Sequence, residues 1–422
     1  MTLQTPLRSR DVVIVGGGAA GLAAAIFTAQ SLSPGSESPK ITVVDGARKL
    51  GAKILVSGGG RCNITHQKVS ESDYSSSSQG VRRILRAFDH GQAQKWFHSL
   101  GVPLKTEPTG KLFPVTNSAR TVLNALLTRC EELGVEILTH HRVESLTASP
   151  NAAFHLETSG GPLECKAVVL ATGGQSLPKS GSDGQGYSLA RRLGHSILDT
   201  RAALVPLMLD GSFFHSDLSG VAHPVTLSVW VGGKQVERRA GDMLWTHFGI
   251  SGPVAMDISG TWVRRQSQGD KPQLYINLSQ STFEDLEKEL IAANTAHTNR
   301  PVGRHLQERL PKGVVNALLG HLGLSPTLPL GELQKGDRRK LVHGLTHLPL
   351  PALKHRGWNH AEVTSGGVPL DEINLGSTES KVVPNLFLVG EILDCDGRIG
   401  GFNFQWAWAT GFVAGRALGK RL

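Results

Sequence analysis

Hydrophobic and polar positions change period several times along this 422-residue chain. Val12 to Val15 is a continuous apolar run, the pattern of a parallel strand buried on both faces. Ala19 to Ala29 is rich in helix formers, and Ile41 to Val44 is a second buried run. Ser31 to Pro39 reads as a Ser/Pro/Gly loop between them, and Ser75 to Ser78 as a mobile polar loop. Amphipathic helices are expected near 82–99 and 120–133, the second stopped by Gly134 at C′. From 135 to 172 the pattern predicts short strands, closing on the buried run Ala167 to Ala171.

The character changes near residue 202. Val225, Leu227, Val229 and Val231 alternate with other residues before Gly232-Gly233 turns the chain, a hairpin in an antiparallel sheet. Residues 281–345 read as helical, with Ser281 and Glu284 as a capping box. Phe283, Leu286, Leu290 and Ile291 recur there at helical spacing. Leu386 to Val389 then returns to a buried strand.

Composition narrows the function. A length of 422 residues implies two or three domains. The 50 glycines cluster in short runs, as where backbone approaches a ligand. The net charge of +9 suits an anionic cofactor, an acidic substrate or nucleic acid. The basic residues are dispersed, however. The densest groups, Arg82-Arg83-Arg86 and Arg338-Arg339-Lys340, are short and lie beside apolar helical patterns. No nucleic-acid partner is therefore expected. The four cysteines have no C-x-x-C or metal spacing, so no metal or dithiol relay is expected. No run reaches the ~18 apolar residues of a membrane span, and a cytoplasmic location is expected.

The sharpest motif is Gly16-x-Gly18-x-x-Gly21, with Ala20 inside it, between a predicted strand and a predicted helix. The first glycine permits a tight turn, the second admits a pyrophosphate, and the third lets helix pack on strand. Asp45 ends the next strand, where it can accept from a ribose hydroxyl pair. Three further segments favour FAD over NAD as the dinucleotide. They are Ala171-Thr172-Gly173-Gly174 after a buried strand, Gly390-Glu391 after the late strand, and Gly400-Gly401-Phe402-Asn403 opening a final helix. A helix N-terminus there would favour the negative charge of a reduced flavin.

The run Lys53-Ile-Leu-Val-Ser-Gly-Gly-Gly-Arg-Cys-Asn63 resembles the signature of a bacterial NAD(P)/FAD-dependent oxidoreductase family. That family includes aminoacetone-oxidase-like and bile-acid 4,6-reductase-like proteins. Thr246 to Pro253, Thr364 to Val368, Glu379 to Lys381 and Gly390 to Gly411 are similar too, so the resemblance spans nearly the whole chain. It implies that Lys53, Ser57, Gly59, Gly60, Arg61 and Asn63 line pyrophosphate and flavin, and that Val143 meets the adenine through its backbone. It also implies looser kinship with the succinate dehydrogenase and fumarate reductase flavoproteins. Asp45 stands where a glutamate is common, and Phe402 where a tyrosine is common.

The resulting expectation is an α/β protein: a discontinuous, glutathione-reductase-like FAD-binding Rossmann domain interrupted by an antiparallel β domain with a helical insert. The boundaries are 1–201 for the first part of the FAD domain, 202–280 for the β domain and 281–345 for the insert. Residues 346–370 return to the β domain and 371–422 to the FAD domain. Non-covalent FAD is the expected cofactor, with NAD(P)H as a transient reductant, because no second strand-linked glycine fingerprint exists.

His247 and Arg398 are the candidate catalytic residues, with Ser251 and Arg61 also on the substrate side. His247 is a proton donor or the hydrogen-bonding anchor of its Gly/Ser/Pro-rich turn. Arg398 binds substrate oxygen or pairs with Asp394 or Asp396. The leading activity is hydride transfer from NAD(P)H through flavin to a small acceptor such as an activated C=C. The alternatives are an amine oxidase using dioxygen and a nucleic-acid-associated flavoprotein.

Overall fold

The computed structural model describes residues 8–33, 39–76, 78–149 and 153–422. Residues 34–38 of the expected Ser/Pro/Gly loop lie outside them, as does Ser77. The chain divides into two compact units, one running to Arg201 and resuming with Val363–Leu422, the other Ala202–Glu362.

The first unit is built on a seven-stranded sheet. Glu136–Leu138, Ile41–Val44, Arg8–Val15 and Leu163–Leu170 lie side by side and parallel. Leu163–Leu170 divides its edge. Its early residues pair antiparallel with Phe154–Thr158, whereas Val168, Val169 and Leu170 pair parallel with Leu386–Leu388. Val12, Val13, Ile14, Val168, Val169 and Leu170 are wholly buried, so their continuous apolar runs follow from coverage of both sheet faces.

Helix Ala19–Gln30 packs along helix Phe402–Gly419 at a distance that side chains would forbid. A Cβ on Gly411 would fall 2.8 Å from Ala23 Cβ, one on Gly415 2.7 Å from Thr28 N, and one on Gly419 2.5 Å from Thr28 O. This glycine ladder joins the two ends of the chain.

Between these ends, helix Ala119–Glu132 stops as its sequence requires. Gly134 at φ 70° donates to Glu131 O and Val135 donates to Cys130 O, the paired bonds of a Schellman cap. The helix expected over 82–99 is two helices, Ser78–Ala87 and His90–Ser99. Asp89 and Gln92 form a reciprocal capping box at the break, and a second N-terminus beginning there outweighs the continuous amphipathic pattern. Ser75, expected in a mobile loop, is tied to Asp396 through both its backbone N–H and its hydroxyl.

The second unit holds a seven-stranded antiparallel sheet. Its longest hairpin, Ala222–Val231 with Lys234–Thr246, turns at Gly232 and Gly233, both at positive φ, as a type I′ turn demands. Helices Phe283–Ala296, Lys312–His321 and Lys335–Thr346 follow. Thr282, not Ser281, caps the first of them, accepting from Asp285 N at 3.1 Å. Leu286 and Leu290 face the core, but Ile291 is exposed. Strand Val363–Gly367 pairs with Leu198–Ala203 as a separate two-stranded sheet.

Candidate functional site

The site grows from the carboxyl ends of the parallel strands, where open α/β sheets place their ligands. Val15 leads into Gly16–Gly21, Val44 into Asp45, Leu170 into Ala171–Gly174, and Leu388 into Gly390–Glu391. Packing brings these segments together. A Cβ on Gly16 would sit 2.4 Å from Ala171 O, and one on Gly21 1.9 Å from Gly16 O, so both positions need glycine for the fold itself. Gly390, at φ 76°, lies against Ala20, where a Cβ would be 2.7 Å from Ala20 Cβ. Gly18 differs. A Cβ there would meet no atom within 4 Å among the described residues, and Gly18 is the N-cap of helix Ala19–Gln30. Its lack of a side chain keeps the helix N-terminus approachable, as an anion requires.

Asp45 reaches back to this turn. One carboxylate oxygen accepts from Gly17 N and the other from Ala47 N, both at 2.8 Å. A carboxylate offers about four acceptor positions, so two remain for hydroxyl donors.

Lys53 lies in the helical turn Ala52–Gly60, which is interrupted at Ser57, Gly58 and Gly59. Its ammonium donates to Ser176 Oγ at 2.6 Å and to Glu391 at 2.5 Å. Glu391 also accepts from Ser176 Oγ at 3.0 Å and from Thr364 N at 2.9 Å. Thr364 Oγ1 in turn accepts from Gln175 N and Ser176 N. Lys53 is thus not a free cation, and Glu391 is held by three donors. Sequence reasoning missed Ser176, and it assigned Thr364 no role. No local spacing points to them, since Ser176 is 123 positions from Lys53.

Gly58, Gly59 and Gly60 all have positive φ, a run that only glycine adopts readily. Arg61 leaves this loop to pair with Glu107 at 2.6 Å and to cover the Phe113 ring at 4.0 Å. Cys62 is fully buried, and burial pushes its thiol up to about 12 despite a hydrogen bond involving Ser57. The thiol stays protonated. Burial and the neighbouring carboxylates Asp396 and Asp394 push the Cys395 thiol well above its usual range too.

Asn63 Oδ1 is buried without a hydrogen-bond partner among the described residues, as are Thr172 Oγ1 and Ser182 Oγ. Asn63 Oδ1 lies against Gly401, whose added Cβ would fall 2.8 Å away. Gly401, at φ 94°, is the N-cap of the final helix. Phe402 is buried with its ring stacked on His66 and edge-on to Tyr74, so the ring itself has no polar requirement. Asn403 braces the preceding loop, accepting from Gly397 N and donating to Gly397 O.

Other expected site residues have local partners. The Val143 carbonyl accepts from Gln185 Nε2 at 2.8 Å. Arg398 lies 3.6 Å from Asp73 and donates its backbone N–H to the Asp73 carbonyl. Gly173, at φ 71°, lies close to Ser182 Oγ. In the second unit, His247 is exposed on the turn between Lys234–Thr246 and Gly249–Ser251, which Thr246 closes onto Gly249 O at 3.0 Å. Ser251 pairs with Leu244. Among the described residues no group of His, Cys, Asp and Glu could hold a metal ion. No described helix is long and apolar enough to cross a membrane.

This donor set fits a dinucleotide. It has a crowded glycine turn with one open position at a helix N-terminus, an acid with acceptor positions to spare, and buried polar atoms awaiting partners. Comparison with known proteins agrees. A "3-ketosteroid delta1-dehydrogenase" of Sterolibacterium denitrificans has the same fold, with a TM-score of 0.53 at 13% identity over 98% of this chain and 100% of that one. The "Ribosomal RNA dihydrouridine synthase" of Escherichia coli K12 is 32% identical over 97% of this chain and 98% of its own length. The "3-dehydro-bile acid delta(4,6)-reductase" of Clostridium scindens is also 32% identical, with the same coverage. The family model described as "HI0933-like protein Rossmann domain" matches residues 10–417. The chain therefore belongs to the HI0933-like family, and it is a Rossmann-fold, FAD-dependent oxidoreductase.

Proposed function

We propose that this flavoenzyme reduces a carbon–carbon double bond conjugated to a carbonyl, with NAD(P)H as the source of electrons. One observation carries the reading. Two relatives that match over nearly their whole lengths, and differ widely in substrate, both have names that describe saturation of such a bond. Bound FAD would supply the redox chemistry, carrying a hydride equivalent from the nicotinamide to the conjugated alkene, whose other carbon would gain a proton.

The chain's own residues divide the remaining work. The Gly16–Gly21 turn and the N-terminus of helix Ala19–Gln30 would hold the pyrophosphate, and Asp45 the ribose hydroxyls. Ser57, Gly59, Gly60, Arg61, Thr172 and Gly173 would line the nucleotide, with Val143 on the adenine side. Lys53 and Glu391 would fix the flavin side, and Asn63 would give its unused oxygen to the ring. Gly400, Gly401, Phe402 and Asn403 would turn a helix N-terminus, with its partial positive charge, toward the flavin. His247 is the proposed proton donor and Arg398 the proposed ligand for substrate oxygen.

For the acceptor, we favour a uracil ring carried by RNA. The Escherichia coli relative's name supports it. The expectation of no nucleic-acid partner gives way in this reading. A steroid-like conjugated ketone is the second reading, supported by the equal identity of the Clostridium scindens relative.

The test is an anaerobic titration of the holoprotein with NADH and then NADPH, followed by addition of acceptors. Bleaching of the flavin, then its reoxidation by uridine-containing RNA, is the expected result. Reoxidation by a conjugated steroid ketone alone would select the second reading. A flavin that ignores both nucleotides but yields peroxide with amines would overturn the proposal in favour of an oxidase.

A further inference from the structure

Helix Ser78–Ala87 has two unlike faces. Val81, Ile84 and Leu85 are buried, and Gly80 allows the helix to sit against Leu370 and Leu375. The other face presents Arg82, Arg83 and Arg86, all exposed, three like charges within a little over one turn. Such spacing destabilises an isolated helix. These arginines, with Gln79 and Leu375, line a pocket of about 410 Å³.

The pocket is shaped by its neighbours. Arg82 donates through Nε at 2.8 Å and through Nη2 to one carboxylate oxygen of Glu71, which fixes its plane. Arg82 and, more weakly, Arg86 hold the Glu71 carboxyl below its usual range. Arg83 lies by the Asn374–Gly376 turn, close enough that a Cβ on Gly376 would be 3.4 Å from Nη2. Three guanidinium groups against one carboxylate leave the pocket with an excess of two positive charges.

The same short segment connects this pocket to the flavin side. Two residues after Glu71, Asp73 receives the Arg398 N–H at its carbonyl. Tyr74 OH donates to Phe402 O at 2.8 Å, and Ser75 bonds Asp396. An anion held by the arginines is therefore one chain segment away from the residues that open the final helix.

We infer that Arg82, Arg83, Arg86 and Gln79 form a phosphate-binding pocket that grips the backbone of the RNA strand presenting its base to the flavin. Guanidinium forks match phosphate oxygens bidentately, and Gln79 adds an amide donor. The RNA assignment rests on the acceptor favoured above, whereas the pocket's phosphate chemistry does not.

The experiment measures binding of fluorescent single-stranded oligouridine to the holoenzyme by anisotropy, from about 50 to about 200 mM salt. The Arg83→Gln/Arg86→Gln double variant is compared with an equal charge change at the exposed pair Arg191 and Arg192. Flavin content and unfolding temperature establish that each variant is folded. The pocket variant should bind on the order of tenfold more weakly, and its salt slope should fall by roughly 0.7 for each phosphate no longer neutralised. Arg83→Lys/Arg86→Lys should recover part of the affinity. Equal weakening in both Gln variants would reduce the effect to overall charge and overturn the pocket, as would unchanged affinity and slope. Slower flavin reduction by NADPH but not NADH, with oligouridine binding intact, would assign the phosphate to the dinucleotide and overturn the RNA strand. Weakened RNA binding in the pocket variant alone would uphold the pocket even if no RNA reoxidised the wild-type flavin, which would remove only the proposed acceptor.

Discussion

Lys53 Nζ lies 2.5 Å from Glu391 Oε2, although 338 positions separate them in the chain. Their side chains are only 27% and 17% exposed, so solvent screens this pair less than an ordinary surface bridge. Glu391→Gln leaves Lys53 without its counter-charge and should destabilise the holoprotein by about 1–3 kcal/mol, with partial loss of flavin. Lys53→Met should behave similarly. In a double-mutant cycle followed by thermal unfolding, the two changes should couple. Additive effects would mean that the pair does not hold the site together.

The glycines of the first turn should separate by function. Gly21→Ala places a Cβ 1.9 Å from Gly16 O, a clash with backbone that cannot rotate away. It should prevent folding or cost several kcal/mol, as overpacking does at its upper range. Gly18→Ala meets no protein atom among the described residues and should leave flavin-free protein as stable as wild type. Its FAD affinity should nevertheless fall about tenfold or more, because the methyl would stand in the proposed path of the pyrophosphate. Unfolding scans of stripped protein and FAD titrations distinguish these outcomes, and unaltered FAD affinity in Gly18→Ala would place the dinucleotide elsewhere.

Acid sensitivity has a definite source in the first unit. His195, buried, bonds Glu372 at 2.6 Å and Ser380 Oγ at 2.8 Å, while Ser196 bonds the same carboxylate. Burial pushes the Glu372 carboxyl up, but hydrogen bonds from Ser196 and His195 outweigh it and hold the group below its ordinary 4.5. A carboxyl depressed in the folded state stabilises it above the unfolded value and loses that contribution as pH falls through the folded one. Wild-type protein should therefore lose stability below about pH 4.5, and Glu372→Gln should flatten that part of the curve. Parallel curves in denaturant titrations at several pH values would assign the acid sensitivity to other carboxyls. Ser380 accepts two backbone N–H groups, from Val382 and Val383, which suits an anchored turn and not a nucleophile.

Legibility in the sequence followed range. The Gly16–Gly21 turn, Asp45, the Gly232-Gly233 hairpin and the Gly134 cap are local, each written within a few residues, and all form as their residue types dictate. The break at Asp89 was obscured because apolar spacing continues through it, and only the Asp89–Gln92 reciprocity marks it. Thr282 displaced Ser281 as cap by one position, a difference below the resolution of pattern. Ser176, Thr364 and Gln405 could not be read as partners at all, because their hydrogen bonds close loops of more than a hundred residues. The glycines of the final helix were visible, but their purpose, contact with Ala23, Ala24 and Thr28, exists only once both chain ends meet.

Two neighbours near the final helix should respond oppositely to truncation. Thr65 Oγ1 donates to Gln405 Oε1 at 2.8 Å, and Gln405 Nε2 donates to Phe88 O at 2.8 Å, all buried. Thr65→Ala leaves a buried amide oxygen unpaired and should cost about 1–3 kcal/mol whether or not flavin is bound. Asn63 Oδ1 starts without a partner among the described residues, so its removal costs the flavin-free fold no hydrogen bond at that oxygen. Asn63→Ala should thus unfold within roughly 1 kcal/mol of wild type when stripped, yet retain much less FAD after gel filtration, because in the proposed site a bound flavin donor would satisfy that oxygen. Equal stability loss in both variants, with flavin retained by Asn63→Ala, would show that the oxygen serves the protein and not the cofactor.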